Sequence, residues 1–409
     1  MLPDGWTLKR LDAIATVERG KFSARPRNDP KYFGGDTPFV QTGDVAGAHL
    51  YLGTHSQTLN ALGLTVSKVF ETGTILLTIA ANIGATAITR VPTACPDSVV
   101  GIRPLSPATD LLWLKYALDE MRGDLDSQAG QNAQKNINLD VLKPLRIATP
   151  PAREQKQIGE ILSAWDQAIA TAQHLLVNSR RCSRVLMSSL LSGHRRFPGQ
   201  SDEWRHAKLE AIFERVTRKN TEQNTNVLTI SAEHGLISQR DYFNKSVASA
   251  NLSGYTLLHR HDFAYNKSYS AGYPMGAIKP LLAYEAGVVS SLYLCFRLRK
   301  DVDADFDFFR HYFEAGLLNQ EIEGIAQEGA RNHGLLNVSV TDFFKLQLHI
   351  PSAPEQRRIA EVINAARAEE ALLEAQIRAL RQEKAALMSQ LLTGKRRVKL
   401  SEVESEAQV

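Results

Sequence analysis

PPAREQKQIGEIL occupies positions 150–162, and PSAPEQRRIAEVI occupies 351–363. A shift of 201 residues superposes 150–196 on 351–397 without a gap, with 17 of 47 positions identical. The two copies also end alike, as LMSSLLSGHRR at 186–196 and LMSQLLTGKRR at 387–397. In the second copy Ile359, Ile363, Ala366, Glu370, Leu373, Ile377, Leu380, Lys384, Leu387 and Leu391 fall at alternating steps of four and three. That is a heptad seam. The same register in the first copy holds Ile158, Leu162, Trp165, Ile169, Ala172, Leu176, Ser179, Ser183, Leu186 and Leu190. Prolines stand at each entrance, Ser352 and Glu355 have capping-box spacing, and Gly193 and Gly394 are placed for the left-handed turn that ends a helix. His194-Arg195-Arg196 and Lys395-Arg396-Arg397 follow, suited to the negative end of a helix dipole. The spacing predicts two helices of close to forty residues, at about 154–192 and 355–393, packed on each other as a coiled coil. The competing arrangement lays each stripe on its own neighbouring domain.

The segments before the two helices resemble each other faintly. GWTLKRLDAI from Gly5 stands against EWRHAKLEAI from Glu203, aligning Trp6 with Trp204, Leu11 with Leu209 and Ile14 with Ile212. Short β-like runs follow: TPFVQTGDV from Thr37, TGTILLTIA from Thr72, NVLTISAEHG from Asn226 and GVVSSLYLCFRLR from Gly287. Each segment then has a helical stretch, LLWLKYALDEM from Leu111 or FFRHYFEAGLL from Phe308. A polar loop comes next, AGQNAQKNIN from Ala129 or EGARNHGLLN from Glu328, and then a last strand. The chain divides as a first domain at 1–149, a long helix within 150–197, a second domain at 198–350, a long helix within 351–397, and an acidic tail at 398–409 expected to be disordered.

Composition keeps the chain among ordinary globular proteins, with 43% apolar and 22% charged residues and a formal charge of +4. The charge alone says little, but basic clusters recur in both halves: Lys21, Arg25, Arg27 and Lys31 early, and Arg215, Arg218 and Lys219 later. Neither the opening MLPDGWTLKRL nor the apolar window from Ile75 has the layout of a signal peptide or a membrane span, so a cytoplasmic protein is expected. Cys95, Cys182 and Cys295 are isolated and odd in number, which suits reduced, mostly buried thiols. The sequence lacks a nucleotide-binding P-loop, a dinucleotide fingerprint, a zinc-protease helix and the N-P-P-aromatic run of amino-methyltransferases. His259-Arg260-His261-Asp262 is the nearest approach to a reactive cluster, and it reads as a surface turn.

With its P-x-x-E-Q-x-x-I entrances at 151–158 and 352–359 (Ser replacing the first Pro in the second), its exits at Gly193 and Gly394 and its alternating layout, the chain resembles the specificity subunits of Type I restriction-modification systems. The resemblance implies an α+β fold: two mixed α/β target-recognition domains alternating with two long helices in an antiparallel coiled coil, an internal repeat with pseudo-two-fold symmetry. It implies a non-catalytic subunit in which each domain reads one half of an asymmetric bipartite site on double-stranded DNA. The helices would set the spacer and dock two methyltransferase subunits, with two motor-nuclease subunits in some systems. S-adenosylmethionine, ATP and magnesium would be used only by those partners. Symmetry supplies a reason for the repeat: identical partners need identical docking surfaces, whereas different half-sites need different domains. The alternative from another class is a free-standing repressor that spaces two DNA-binding domains with a coiled coil.

Paired hydrogen bonds to base edges favour Arg, Lys, Asn and Gln. Candidates in the first domain are Lys21, Arg25, Arg27, Gln41, Thr42, Asn82, Gln131, Gln134, Lys135 and Asn136. Those in the second are Arg218, Lys219, Glu233, His234, Arg240, the run Tyr265, Asn266, Lys267 and Tyr269, and Arg331, Asn332 and His333.

Overall fold

The computed structural model describes residues 2–129, 136–200, 202–231, 235–243, 251–270, 272–328 and 336–398. Gln131, Gln134, Lys135, Glu233, His234, Arg331, Asn332, His333 and the tail from 399 lie outside the described residues. Both long helices form, at Ala152–Leu191 and Ala353–Leu392, each of 40 residues. At 1.5 Å per residue each is about 60 Å long.

Two compact units emerge, and each takes half of each long helix. One comprises Met1–Leu175 with Leu373–Val409, the other Leu176–Leu372. In the first unit Glu154 meets Arg397 and Asp166 meets Lys384. In the second, Arg196 meets Glu355 and Met187 meets Arg367. Partner numbers fall as the first number rises, so the helices pair antiparallel within each unit.

The repeated entrance motif owes its residue types to this pairing. Glu154, 2% exposed, accepts from Arg397 at 2.7 and 2.9 Å and from the Trp6 indole at 3.1 Å. Glu355, fully buried, accepts from Arg196 at 3.0 and 2.7 Å. Both are two-toothed guanidinium-carboxylate pairs, which fix direction as well as distance. The adjoining glutamines bind backbone. Gln155 accepts from the Asp110 amide at 2.9 Å and donates to Pro150 O, and Gln356 does the same with Asp305 and Pro351. Asp110 and Asp305 in turn cap the helices Leu111–Glu120 and Phe306–Glu314. One Glu-Gln dipeptide thus holds the end of the other long helix and the start of a domain helix.

Two local expectations are corrected here. Glu355 gives both oxygens to Arg196 and does not reach back to close a capping box. Arg196 and Arg397 leave their own helix ends and cross to the opposite helix. The exits behave as expected: Gly193 and Gly394 have φ of 77° and 73°, a region that disfavours any residue with a Cβ.

Within each unit the core lies between a four-stranded antiparallel sheet and helices. In the first, Ala15–Arg19 pairs with Val99–Pro104, then Ile75–Thr78, then Thr86–Ile88. In the second, Phe213–Arg215 pairs with Leu294–Leu298, then Phe263–Asn266, then Ala277–Pro280. Strand order is the same. Trp6, Leu11, Ile75, Leu77, Ile102 and Trp113 pack with Ile158, Leu162, Leu391 and Leu392 from the two long helices. Phe213, Phe263, Phe296, Phe308 and Phe309 pack with Leu190, Leu191, Ile359 and Ile363 in the same way. The seam therefore does both things weighed from the sequence. Its ends sink into the domain cores, while Ile169, Leu176 and Ile377 are buried along the helices and Trp165, Leu186, Leu373, Leu380 and Leu387 are half-buried.

The units diverge in the layer beyond the sheet. The first builds another four-stranded sheet, in the order Gln57–Leu59, Phe33–Phe39, Thr93–Cys95 and Lys68–Phe70. The second has strand pairs, Leu228–Ser231 with Gly235–Ser238 and Thr256–His259 with Ala286–Val289. No helix among the described residues is long and apolar enough to cross a membrane.

Candidate nucleic-acid interface

The same junction recurs at one end of each central sheet. Strands Ile75–Thr78 and Thr86–Ile88 are joined by a short hairpin, and the Ile137 amide donates to Ile79 O at 2.9 Å while Asn136 bridges Ala80. In the second unit the hairpin between Phe263–Asn266 and Ala277–Pro280 is longer, and the Leu336 amide donates to Lys267 O at 2.8 Å. Asn82 lies two residues beyond the bridged Ala80, and Lys267 is held to the segment that begins at Leu336. Asn82 is exposed, as is Tyr269, while Asn136, Asn266 and Lys267 are half-buried. Tyr265 is different. It is fully buried, its ring stacked on Phe343 at 5.2 Å and its hydroxyl donating to Met275 O at 2.8 Å. Alternation along the strand explains this, since Phe263 and Tyr265 share the core face.

A second group gathers around the outer layers. Lys21, Arg25 and Arg27 are exposed; the Lys21 amide donates to Cys95 O, and Arg27 pairs with Asp97 at 3.0 Å. Gln41 precedes the short helix Thr42–Gly47, its amide donating to Asp44 at 2.8 Å and its side chain to Gln57 at 3.4 Å. In the second unit Lys219 and Arg240 are exposed. Arg218 is half-buried and committed to structure, pairing with buried Asp262 and donating to Leu257 O. Asp262 also accepts from the His259 amide at 2.7 Å, so the HRHD run is a turn held by its own aspartate.

Behind these surfaces lie polar networks that sequence reasoning missed. In the first unit Tyr116 donates to Asp166 at 2.6 Å, and Asp166 pairs with Lys384 at 2.6 Å. Lys115 pairs with Asp119 at 2.6 Å. Burial, and then Asp166, push the Tyr116 hydroxyl far above its ordinary range. In the second unit His311 and Arg310 both reach Asn364 Oδ1, at 2.7 and 2.8 Å, and burial holds His311 below its ordinary pKa. One signal was visible: Lys384 is the only basic residue on the second seam, and an ammonium on a packing seam needs a partner. Burial raises the thiols Cys95 and Cys295, the latter to about 12, which keeps both protonated, while Cys182 is exposed. Among the described residues no group of three or more His, Cys, Asp or Glu could hold a metal ion.

Residues 3–177 match the family described as the Type I restriction modification DNA specificity domain. That stretch is similar to a Type I DNA specificity domain. Among its relatives, the Type I restriction enzyme MjaIX specificity subunit of Methanocaldococcus jannaschii is 28% identical over 172 residues, 41% of this chain and 39% of that protein. The MjaVIII specificity subunit of the same organism is 24% identical over 127 residues, 29% of this chain and 30% of that protein. The chain therefore spans, in these matches, about two fifths or less of the relatives' length. Similarity of fold reaches beyond residues 3–177. The S subunit of a Type I restriction-modification system from M. genitalium superposes with a TM-score of 0.57 at 15% identity, covering 96% of this chain and 98% of that one. The HsdS subunit from Thermoanaerobacter tengcongensis gives 0.54 at 16% identity, covering 97% and 98%.

Proposed function

We propose that this chain is the non-catalytic DNA-reading subunit of a Type I restriction-modification complex. Each of the two domains, 1–149 and 198–350, reads one half of a bipartite site on double-stranded DNA. The long helices set the distance between half-sites and dock methyltransferase subunits, two per chain, to which motor-nuclease subunits can add. Any S-adenosylmethionine, ATP or magnesium is then the business of those partners. The observation that carries this reading is the division of labour between constant and variable parts. The Glu-Gln entrances, Arg exits and central sheets repeat, whereas the hairpins and outer layers differ in length, strand number and side chains. A scaffold that keeps its joints and changes its exposed loops suits a reader of two unlike half-sites held by like partners.

Exposed Lys21, Arg25, Arg27 and Lys219 suit phosphate, while Asn82, Asn136, Asn266 and Lys267 sit where hairpin and loop meet and suit base edges. Arg218 and Tyr265 support the surface from beneath.

Exchange of residues 1–149 for the matching domain of a relative tests the proposal. Methylation mapping in cells that co-express the methyltransferase should show one half-site changed and the other retained. A motif that changes in both halves together would sink independent reading.

A further inference from the structure

The hairpin tip of the first unit has an arrangement that turn formation alone does not require. Ala81 and Asn82 both lie in the left-handed region, at φ of 51° and 49°. Gly, and less readily Asn, adopts this region, because a Cβ is disfavoured there. Here the first position is alanine and the asparagine comes second. Such backbone persists only where neighbours hold it, and they do. The Thr78 hydroxyl donates to Asn82 O at 2.6 Å, the Ala85 amide donates to the same oxygen at 3.1 Å, and the Gly84 amide donates to Thr78 O at 2.9 Å. Ile83 is buried in the core at 4% exposure. Arg122 packs beneath Gly84 so closely that an added Cβ would stand 2.9 Å from its Cγ. On the other flank Ala80 bridges Asn136. The backbone of Asn82 is therefore fixed on both sides, yet its side chain is exposed and makes no hydrogen bond within the described residues.

Resting on the DNA-reading proposal, we infer that Asn82 is a specificity-determining residue of the first half-site and reads an adenine. A carboxamide can donate to one base atom and accept from another at once, and on the major-groove edge adenine offers that complement through N7 and the N6 amino group. An exposed carboxamide on a well-held backbone gives up little conformational freedom on binding, the condition under which such a pair discriminates best. The second unit replaces this tip with the longer run from Lys267 to Gly276, in which Tyr269 is exposed, so the reading belongs to the first half-site alone.

Two substitutions separate the amide from the turn. Asn82→Gly removes the amide and favours the left-handed backbone; Ala81→Gly relieves the same backbone and keeps the amide. Randomised duplex DNA would be enriched on the full chain and on each variant, with melting temperature as a check on folding. The wild type should enrich a bipartite motif, and Ala81→Gly the same motif. Asn82→Gly should lose its preference for adenine at one position of one half-site, by roughly 5- to 100-fold in discrimination, with every other position intact. An unchanged motif for Asn82→Gly overturns the inference, as does loss of an entire half-site by both variants, which would assign the effect to the turn. Failure of the wild type to enrich any motif overturns the DNA-reading proposal itself, and the inference falls with it.

Discussion

At the scale of single residues, His311 shows how one buried imidazole ties stability to pH. It is 4% exposed, and its pKa is lowered chiefly by burial, against the opposing pull of its hydrogen bond to Asn364; Arg310 and Arg367 lower it further and Asp307 raises it. The unfolded chain binds a proton near the ordinary 6.5 while the folded chain resists it, so acid favours the unfolded state. Stability contributed here is present above pH 6.5 and is lost as pH falls below it. The expected outcome is that His311→Gln, which keeps a donor towards Asn364, has a shallower fall in melting temperature between pH 7 and 5 than the wild type. Parallel slopes would show that His311 does not set the acid limb. The pattern Phe308-Phe309-Arg310-His311 shows in sequence that a helix lies here, but not that His311 is inside. That depends on which helix faces its ring, and the facing residue, Asn364, is 53 positions away.

At the scale of elements, the two long helices were the most legible feature, because a heptad register and paired caps are local signals. Their bounds at Ala152–Leu191 and Ala353–Leu392 lie within two residues of the expectation. The strands were read less fully. GVVSSLYLCFRLR proved to be two strands, Ala286–Val289 and Leu294–Leu298, parted by a turn at Ser290 to Tyr293. The stretch from Phe308 stops as a helix at Glu314, with Gly316 at φ 71° beyond it. Least legible was the crossing of Arg397 to Glu154 and of Arg196 to Glu355, since nothing near an arginine in sequence names a partner 159 or 243 positions off.

Helix pairing also has a polar code that can be tested. Asp166 and Lys384 are 14% and 16% exposed and 2.6 Å apart, with the Lys384 ammonium 4.9 Å from the Tyr116 ring. The residue 201 positions after Asp166 is Arg367, so the two units use opposite charges at equivalent places. Removing one member of a buried pair strands the other, at a cost of about 3–5 kcal/mol. Asp166→Ala and Lys384→Ala should each destabilise the first unit by about that much, and the double variant should fall well short of the sum. Additive losses in chemical denaturation would show that the pair does not act as a pair. A packing control lies one turn away: Leu162→Ala removes a fully buried side chain and should cost about 2–5 kcal/mol.

For the molecule as a whole, the internal repeat was legible because it is a comparison of the chain with itself. The candidate contacts were less so. Exposure sorted Tyr265 and Arg218 from their neighbours, and exposure depends on strand alternation and distant ion pairs. The division into units was not legible at all. The first unit is completed by residues from a distant part of the chain: Leu391, Leu392 and Arg397 close its core and its entrance. A chain cut after Leu372 should therefore lack a cooperative first unit, read as broad melting and fast proteolysis within residues 1–175. Sharp melting of that fragment would mean that Leu373–Leu392 is dispensable to it.

Synthesis gives that closure a time axis. The ribosome delivers Glu154 and Gln155 long before Arg397, and at about 5–20 residues per second the intervening stretch takes on the order of ten to fifty seconds. During that interval Ile158 and Leu162 lack the Leu391 and Leu392 they pack with, and the Glu154 carboxylate lacks Arg397. The second unit, bounded by Leu176 and Leu372, has all its residues first. The part of the protein made earliest is thus the last to be sealed, and a chaperone that shields one apolar helix face would be needed most at the middle of translation, not at its end.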